Sequence, residues 1–187
     1  WSPDGKQIAC KVWESIKRPW LLCVVDVATG RSFVPDLQCL VMNYEWSPDG
    51  RSIAVGGVLP GSETNVLSLY NVRTRTSRLV DTLSVFSDYQ FGWSPDSRYL
   101  AVQRPTRVVD EEEPSAADIW IFGASGTRCQ LTDTPDYVES EPQWIGTDRL
   151  LVLRQPIQNN RRGGETPTVL ELGRERSPPS TPSGGSP

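Results

Sequence analysis

The sequence predicts an all-β fold: β-propeller blades of four antiparallel strands, about three and a half to four of them, forming a partial propeller. Three observations predict it. WSPDG opens the chain at Trp1–Gly5, returns at Trp46–Gly50, and returns again as WSPDS at Trp93–Ser97. Those tryptophans are 45 and 47 residues apart, and Trp144 follows 51 residues later in WIGTDRLLVL. Between them run short apolar or alternating stretches split by turn residues, with no useful 3.6-residue period, as half-buried antiparallel strands require. A repeat of ~40–50 residues holding four strands has the size of a propeller blade, whose two faces pack on its neighbours.

Each element follows in order along a copy. The first strand ends on the tryptophan, a large flat wedge between adjacent sheets. The corner comes next. Pro48 presets the φ of a type I turn, Asp49 accepts backbone hydrogen bonds, Ser47 bonds the backbone nearby, and Gly50 takes a positive φ. Ser97 holds the glycine position in the third copy and is a poorer choice there. The second strand is IACKV, IAV, LAV or LLVL. A segment of variable length follows: WESIKRP, GGVLPGSET, RPTRVVDEEEPSAA and RQPIQNNRRGGETP. We read these segments as loops. The third strand is WLLCVVDV, NVLSLYNV, DIWIF or TVLEL. After a turn (ATGR, RTRT or ASGT) comes the fourth, SFVPD, SRLVD or CQLTD. In the decayed fourth copy, Arg149 and Leu151 align with Arg51 and Ile53.

Blade boundaries fall at about 1–42, 43–86, 87–136 and 137–172. The first copy lacks its first strand and the last its fourth, so the chain reads as the C-terminal part of a larger propeller. Such a piece leaves edges and apolar faces uncovered and is expected to self-associate. Residues 173–187, ending ERSPPSTPSGGSP, form a Ser/Pro/Gly-rich tail without the apolar content to repay the entropy of ordering. We expect it disordered.

Composition narrows the chemistry. A formal net charge of -4 gives no electrostatic reason to bind nucleic acid. No run approaches ~18 apolar residues, so membrane insertion is not expected. The chain has no histidine, which removes the usual general base and the commonest metal ligand. The cysteines, at 10, 23, 39 and 129, contain no CxxC spacing, so no zinc site is expected. Cys10 and Cys23 stand where neighbouring strands would bring them together, and a buried pair of small hydrophobes is preferred to a disulfide. With no nucleophile elbow and no phosphate loop either, the sequence reads as that of a non-enzyme without metal or cofactor.

WSPDGKQIA, WSPDGRSIAV and WSPDSRYLAV, with ADIWIFGASGTRCQLTDTPDYVESEPQW, resemble the repeats of the TolB-like propeller family, also described as WD-like repeats with a Pro-Asp motif. The resemblance covers residues 1 to 172. It implies blades in which Trp1, Asp4, Gly5, Trp46, Asp49, Gly50, Trp93, Asp96 and Trp144 are structural, and a periplasmic or extracytoplasmic setting if the likeness to TolB itself is close. It implies one of two roles. The first is a non-catalytic scaffold binding another protein or a cell-envelope component. The alternative is an accessory propeller of a serine peptidase of the prolyl-oligopeptidase kind.

Repeat scaffolds bind through the segments that differ between repeats. The candidate partner-binding loops here carry an acidic cluster, Asp110, Glu111, Glu112 and Glu113, and one blade further on a basic patch, Arg154, Arg161 and Arg162. The four adjacent acids lack the alternating ligands of a calcium loop.

Overall fold

A computed structural model describes residues 1–13, 20–83, 89–110, 113–158 and 161–172, with the backbone alone at 107–110, 113–115 and 161. The tail at 173–187 lies outside the described residues. All regular structure among them is β.

The strands fall into four groups in chain order. The first sheet holds β1 (Gln7–Val12), β2 (Leu21–Asp26) and the two-residue β3 (Ser32–Phe33). The second is β4 (Leu40–Trp46), β5 (Ser52–Val58), β6 (Asn65–Asn71) and β7 (Thr76–Leu83), paired in that order. The third is β8 (Phe91–Trp93), β9 (Tyr99–Asp110), β10 (Glu113–Gly123) and β11 (Arg128–Gln130). The fourth is β12 (Tyr137–Trp144), β13 (Arg149–Gln158), β14 (Arg161–Arg162) and β15 (Thr166–Glu171). Pairing within each sheet is antiparallel, and one parallel bridge, Ala117 to Val138, ties the third sheet to the fourth. Among the described residues no strand of the first sheet pairs with one of the fourth, so the array is open, a partial propeller.

Three apolar clusters fill the three spaces between successive sheets. Strand alternation distributes the side chains: Ile53 and Val55 pack toward the first sheet and Ala54 toward the third. Leu100 and Val102 face the second sheet, while Ala101 faces the fourth. Ile53, Ala54, Val55, Ala101 and Val102 are fully buried. Period-two strands with both faces apolar are what stacking demands of the inner blades.

The repeated corner has one geometry, three times. Ser47 Oγ donates to Asp49 Oδ1 at 2.6 Å and accepts from the Ser52 N–H at 3.0 Å. Asp49 Oδ1 accepts from the Arg51 N–H at 3.0 Å, and the Gly50 N–H closes the turn on Ser47 O at 2.8 Å. The corresponding bonds of Ser2 and Asp4 measure 2.8, 2.9 and 3.0 Å. Those of Ser94 and Asp96 measure 2.7, 2.9 and 3.1 Å. The serines are buried at 5%, 1% and 0% exposure, so their hydroxyls are the hubs of the corner. Gly5, Gly50 and Ser97 sit at φ of 69°, 68° and 60°, the left-handed region. Ser97 brings a compensation that its poor backbone fit does not suggest: its Oγ accepts the Asp49 N–H at 2.9 Å and links two corners.

The fourth corner corrects the alignment read from the sequence. Trp46 pairs with Ile53 and Trp93 with Leu100, but Trp144 pairs with Leu150. The turn is one residue shorter, because without the Ser-Pro-Asp-Gly network nothing requires its full length. Leu150, not Leu151, is therefore the counterpart of Ile53. Cys10 and Cys23 are register partners across β1 and β2 and are free thiols. Burial pushes the Cys39 thiol up to about 11, which suits a small core hydrophobe.

Candidate interaction face

Each first strand runs toward the corner and each second strand runs away from it. The corners therefore share one side of the array, and the segments joining second to third strands share the other. On that other side the segments of copies three and four are not loops, which corrects the reading above. β9 and β10 continue as a long hairpin with Asp110 opposite Glu113, while β13 and β14 form a second with Gln158 opposite Arg161. Pro105, Pro114 and Pro156, which read as loop residues, are accommodated within the ladders opposite Ala117, Val108 and Tyr137. Register shifts beside Pro114 and Ala116 absorb the irregularity.

Of the predicted partner-binding residues, Arg154 and Arg162 have described side chains. Glu111 and Glu112 lie outside the described residues, as do the side chains of Asp110, Glu113 and Arg161. Arg162 is exposed. Arg154 is committed elsewhere. Its Nε donates to Glu139 Oε1 at 2.8 Å, with a second bond from Nη2, and its guanidinium lies 5.1 Å from the Tyr137 ring centre. Glu139 is completely buried.

Arg154 has a counterpart that sequence reasoning missed. Arg104 lies four residues after Leu100 as Arg154 lies four after Leu150. Its Nε donates to Asp81 Oδ2 at 2.9 Å, and its guanidinium stands 5.3 Å from the Trp120 ring centre. Asp81 is also buried and accepts the Tyr89 hydroxyl at 3.3 Å. Burial, reinforced by Asp81, raises the Tyr89 pKa. Each hairpin is thus pinned at its root by an arginine stacked on an aromatic ring and paired with a buried acid. The available signal was the copy-to-copy equivalence, hidden by the one-residue shift in the fourth corner.

The same side carries exposed apolar surface. A groove of about 590 Å³ is lined by Leu21, Val34, Pro35, Leu37, Leu40 and Pro60, with Asp36 and Gln38 at its polar edge. Trp13 and Trp20, 55% and 40% exposed, meet edge to face at 5.1 Å where the first sheet reaches this side. The Lys11 Nζ lies 5.3 Å from the Trp20 ring centre. Among the described residues no group of three or more acidic or cysteine side chains is placed to hold a metal. No helix among the described residues is long and apolar enough to cross a membrane. This face presents aromatic planes, an apolar groove and hairpin backbone.

No protein-family profile matches the chain, and no curated protein sequence matches it. Solved structures do. TolB from Acinetobacter baumannii superposes with a TM-score of 0.63 at 18% identity, over 92% of this chain and 40% of that one. The β-propeller domain of the Trilobed protease from Pyrococcus furiosus gives 0.65 at 18% identity, over 91% and 52%. A prolyl endopeptidase gives 0.65 at 15% identity, over 90% and 27%. The fold is a TolB-like β-propeller fold, and this chain spans about half or less of those proteins' lengths.

Proposed function

We propose that this chain is a non-catalytic scaffold segment of a longer TolB-like propeller, and that its hairpin side binds another protein or a cell-envelope component. One observation carries the reading. The side on which the copies diverge, with the β9–β10 and β13–β14 hairpins, also holds the exposed Trp13–Trp20 pair and the 590 Å³ groove. Aromatic anchors beside an apolar groove suit protein recognition. The similar solved chains extend well beyond the matched region, which supports a longer parent.

The test is affinity capture with the full-length protein, wild type against a variant whose 108–113 hairpin tip is replaced by a two-residue turn and a Trp13→Ala, Trp20→Ala variant. Loss of a shared set of partners from either variant, with an unchanged melting curve, supports the reading. Equal capture by all three removes the hairpin side as the site.

The second reading, an accessory propeller of a serine peptidase, is favoured by the likeness to peptidase propellers. A hydrolase segment carrying G-x-S-x-G in the complete reading frame would establish it.

A further inference from the structure

The turn between the third and fourth strands is built alike in the first two copies, but for one residue. Asp26 and Asn71 end β2 and β6. Each accepts, through Oδ1, the N–H of the threonine three residues on, Thr29 at 2.8 Å and Thr74 at 2.9 Å. Their backbone carbonyls accept the Gly30 and Arg75 N–H groups, both at 2.9 Å. Gly30 stands at a φ of 66°, and the third copy also turns on a left-handed glycine, Gly126 at 108°. The second copy puts Arg75 there, at 58°. A left-handed backbone disfavours an L side chain, and glycine escapes that penalty.

What Arg75 gains lies across the space between the sheets. Its guanidinium is 4.6 Å from the ring centre of Phe33 on the first sheet. At an exposed site such a contact is no larger than the backbone strain it would have to offset. The side chain also lines a cavity of about 500 Å³ with Asp26, Thr29, Arg31, Ser32 and Phe33, a volume suited to a small ligand. Two cations therefore stand beside one carboxylate. Asp26 is occupied with its own turn, because Oδ1 accepts the Thr29 N–H at 2.8 Å and the Thr29 hydroxyl at 2.7 Å. Among the described residues neither Arg31 nor Arg75 forms an ion pair. Residues held against their backbone preference gather where a ligand is gripped.

We propose that this pocket binds the phosphate group of a small ligand and that the ligand bridges the first and second sheets. Arg75 and Arg31 supply planar forks that match phosphate oxygens, and the Ser32 hydroxyl adds a neutral donor. Two arginines without ion-pair partners suit a group that carries nearly two negative charges near pH 7 better than a singly charged carboxylate. The pocket lies on the corner side, away from the hairpins, and is independent of what they bind.

The test is calorimetric titration of the full-length protein with inorganic phosphate and, separately, with acetate, at about pH 7.5 and fixed ionic strength. Wild type is compared with Arg75→Gly, Arg31→Gln and Arg73→Gln, the last a neighbouring arginine that does not line the pocket. Phosphate should bind wild type saturably, with acetate at least about tenfold weaker. Arg75→Gly should weaken phosphate binding by about tenfold or more, and Arg31→Gln by about threefold or more. Arg73→Gln should bind as wild type does. Without phosphate, Arg75→Gly should melt no lower than wild type, since it restores the glycine of the first copy. Equal phosphate binding by wild type and Arg75→Gly overturns the inference, and so does an equal loss in Arg73→Gln. Acetate binding as tight as phosphate binding overturns the assignment to phosphate. A lower melting temperature for Arg75→Gly without phosphate also overturns the inference, because Arg75 would then be kept for its packing on Phe33.

Discussion

The two sides of this array obey different rules. On the corner side, three copies repeat the same serine, aspartate and turn bonds within a few tenths of an ångström. On the hairpin side the segments run to 7, 9, 14 and 14 residues with unrelated sequences, and the third and fourth grow into ribbons. Chemistry explains the contrast. A corner must reverse the chain in five residues while burying a hydroxyl, and few side chains do that. A hairpin beyond the packed sheets has only to pair with itself. The corner side is thus the record of the fold, and the hairpin side is where copies are free to acquire a role.

The boundary between the two regimes lies at the hairpin roots, and the largest expected effect probes it. Arg154→Ala leaves the fully buried Glu139 without its cation. It should cost about 3–5 kcal/mol, read from urea midpoints. A cost below about 1 kcal/mol would show that the hairpin side is dispensable down to its base.

Ser94→Ala sharpens the corner side. It removes the donor to Asp96 and the acceptor of the Tyr99 N–H and should cost about 1–3 kcal/mol at pH 6. It also predicts a pH signature. The Ser94 hydroxyl, then the Arg98 N–H, hold Asp96 below the usual carboxylate range. A depressed carboxylate contributes in full above its unfolded value of about 3.9 and loses that contribution as pH falls through its folded value. The gap between wild type and Ser94→Ala should therefore narrow below about pH 4. Glu45, raised by burial, acts with the opposite sign but equally in both proteins. A gap that stays constant to pH 2.5 contradicts the assignment.

The smallest effect separates two residues with the same backbone angle. Gly50→Ala forces an L side chain to a φ of 68° and should cost about 1–2 kcal/mol. Ser97→Gly relieves the same strain but deletes the acceptor of the Asp49 N–H, so the terms offset and the midpoint should shift by less than about 0.5 kcal/mol. Clear stabilisation by Ser97→Gly would mean that the link between corners is worth nothing.

Much of this fold was legible in the sequence because corners and alternation are local. Trp46, Trp93 and Trp144 end their strands as the repeat implies, and Gly50 has its positive φ. What stayed hidden was set by partners distant in the chain. Nothing near Arg154 announces that Glu139, fifteen residues upstream, meets it across a ladder. Asp118 stands in the conspicuous DIWIF stretch, yet its part in the blade, accepting the Thr134 N–H at 2.9 Å and the Gln130 amide at 3.0 Å, appears only once the fourth strand closes. Pro105 and Pro114 obscured the β9–β10 ribbon because proline signals a break wherever register is unknown. For the candidate face, Arg154, Arg161 and Arg162 looked equivalent as charges, and nothing local shows that Arg154 meets the buried Glu139.

Successive sheets share one further link, in which Trp144 Nε1 donates to Gly92 O at 2.9 Å and Trp93 Nε1 to Glu45 O at 3.3 Å, and it has a consequence for assembly. Trp93 and Trp144 each reach only the sheet before their own, and the apolar clusters likewise join sheets two at a time, so the angle between neighbours is set pair by pair. A ring made this way has no template for its circumference. The number of sheets that fit a closed ring is then the full circle divided by that local angle.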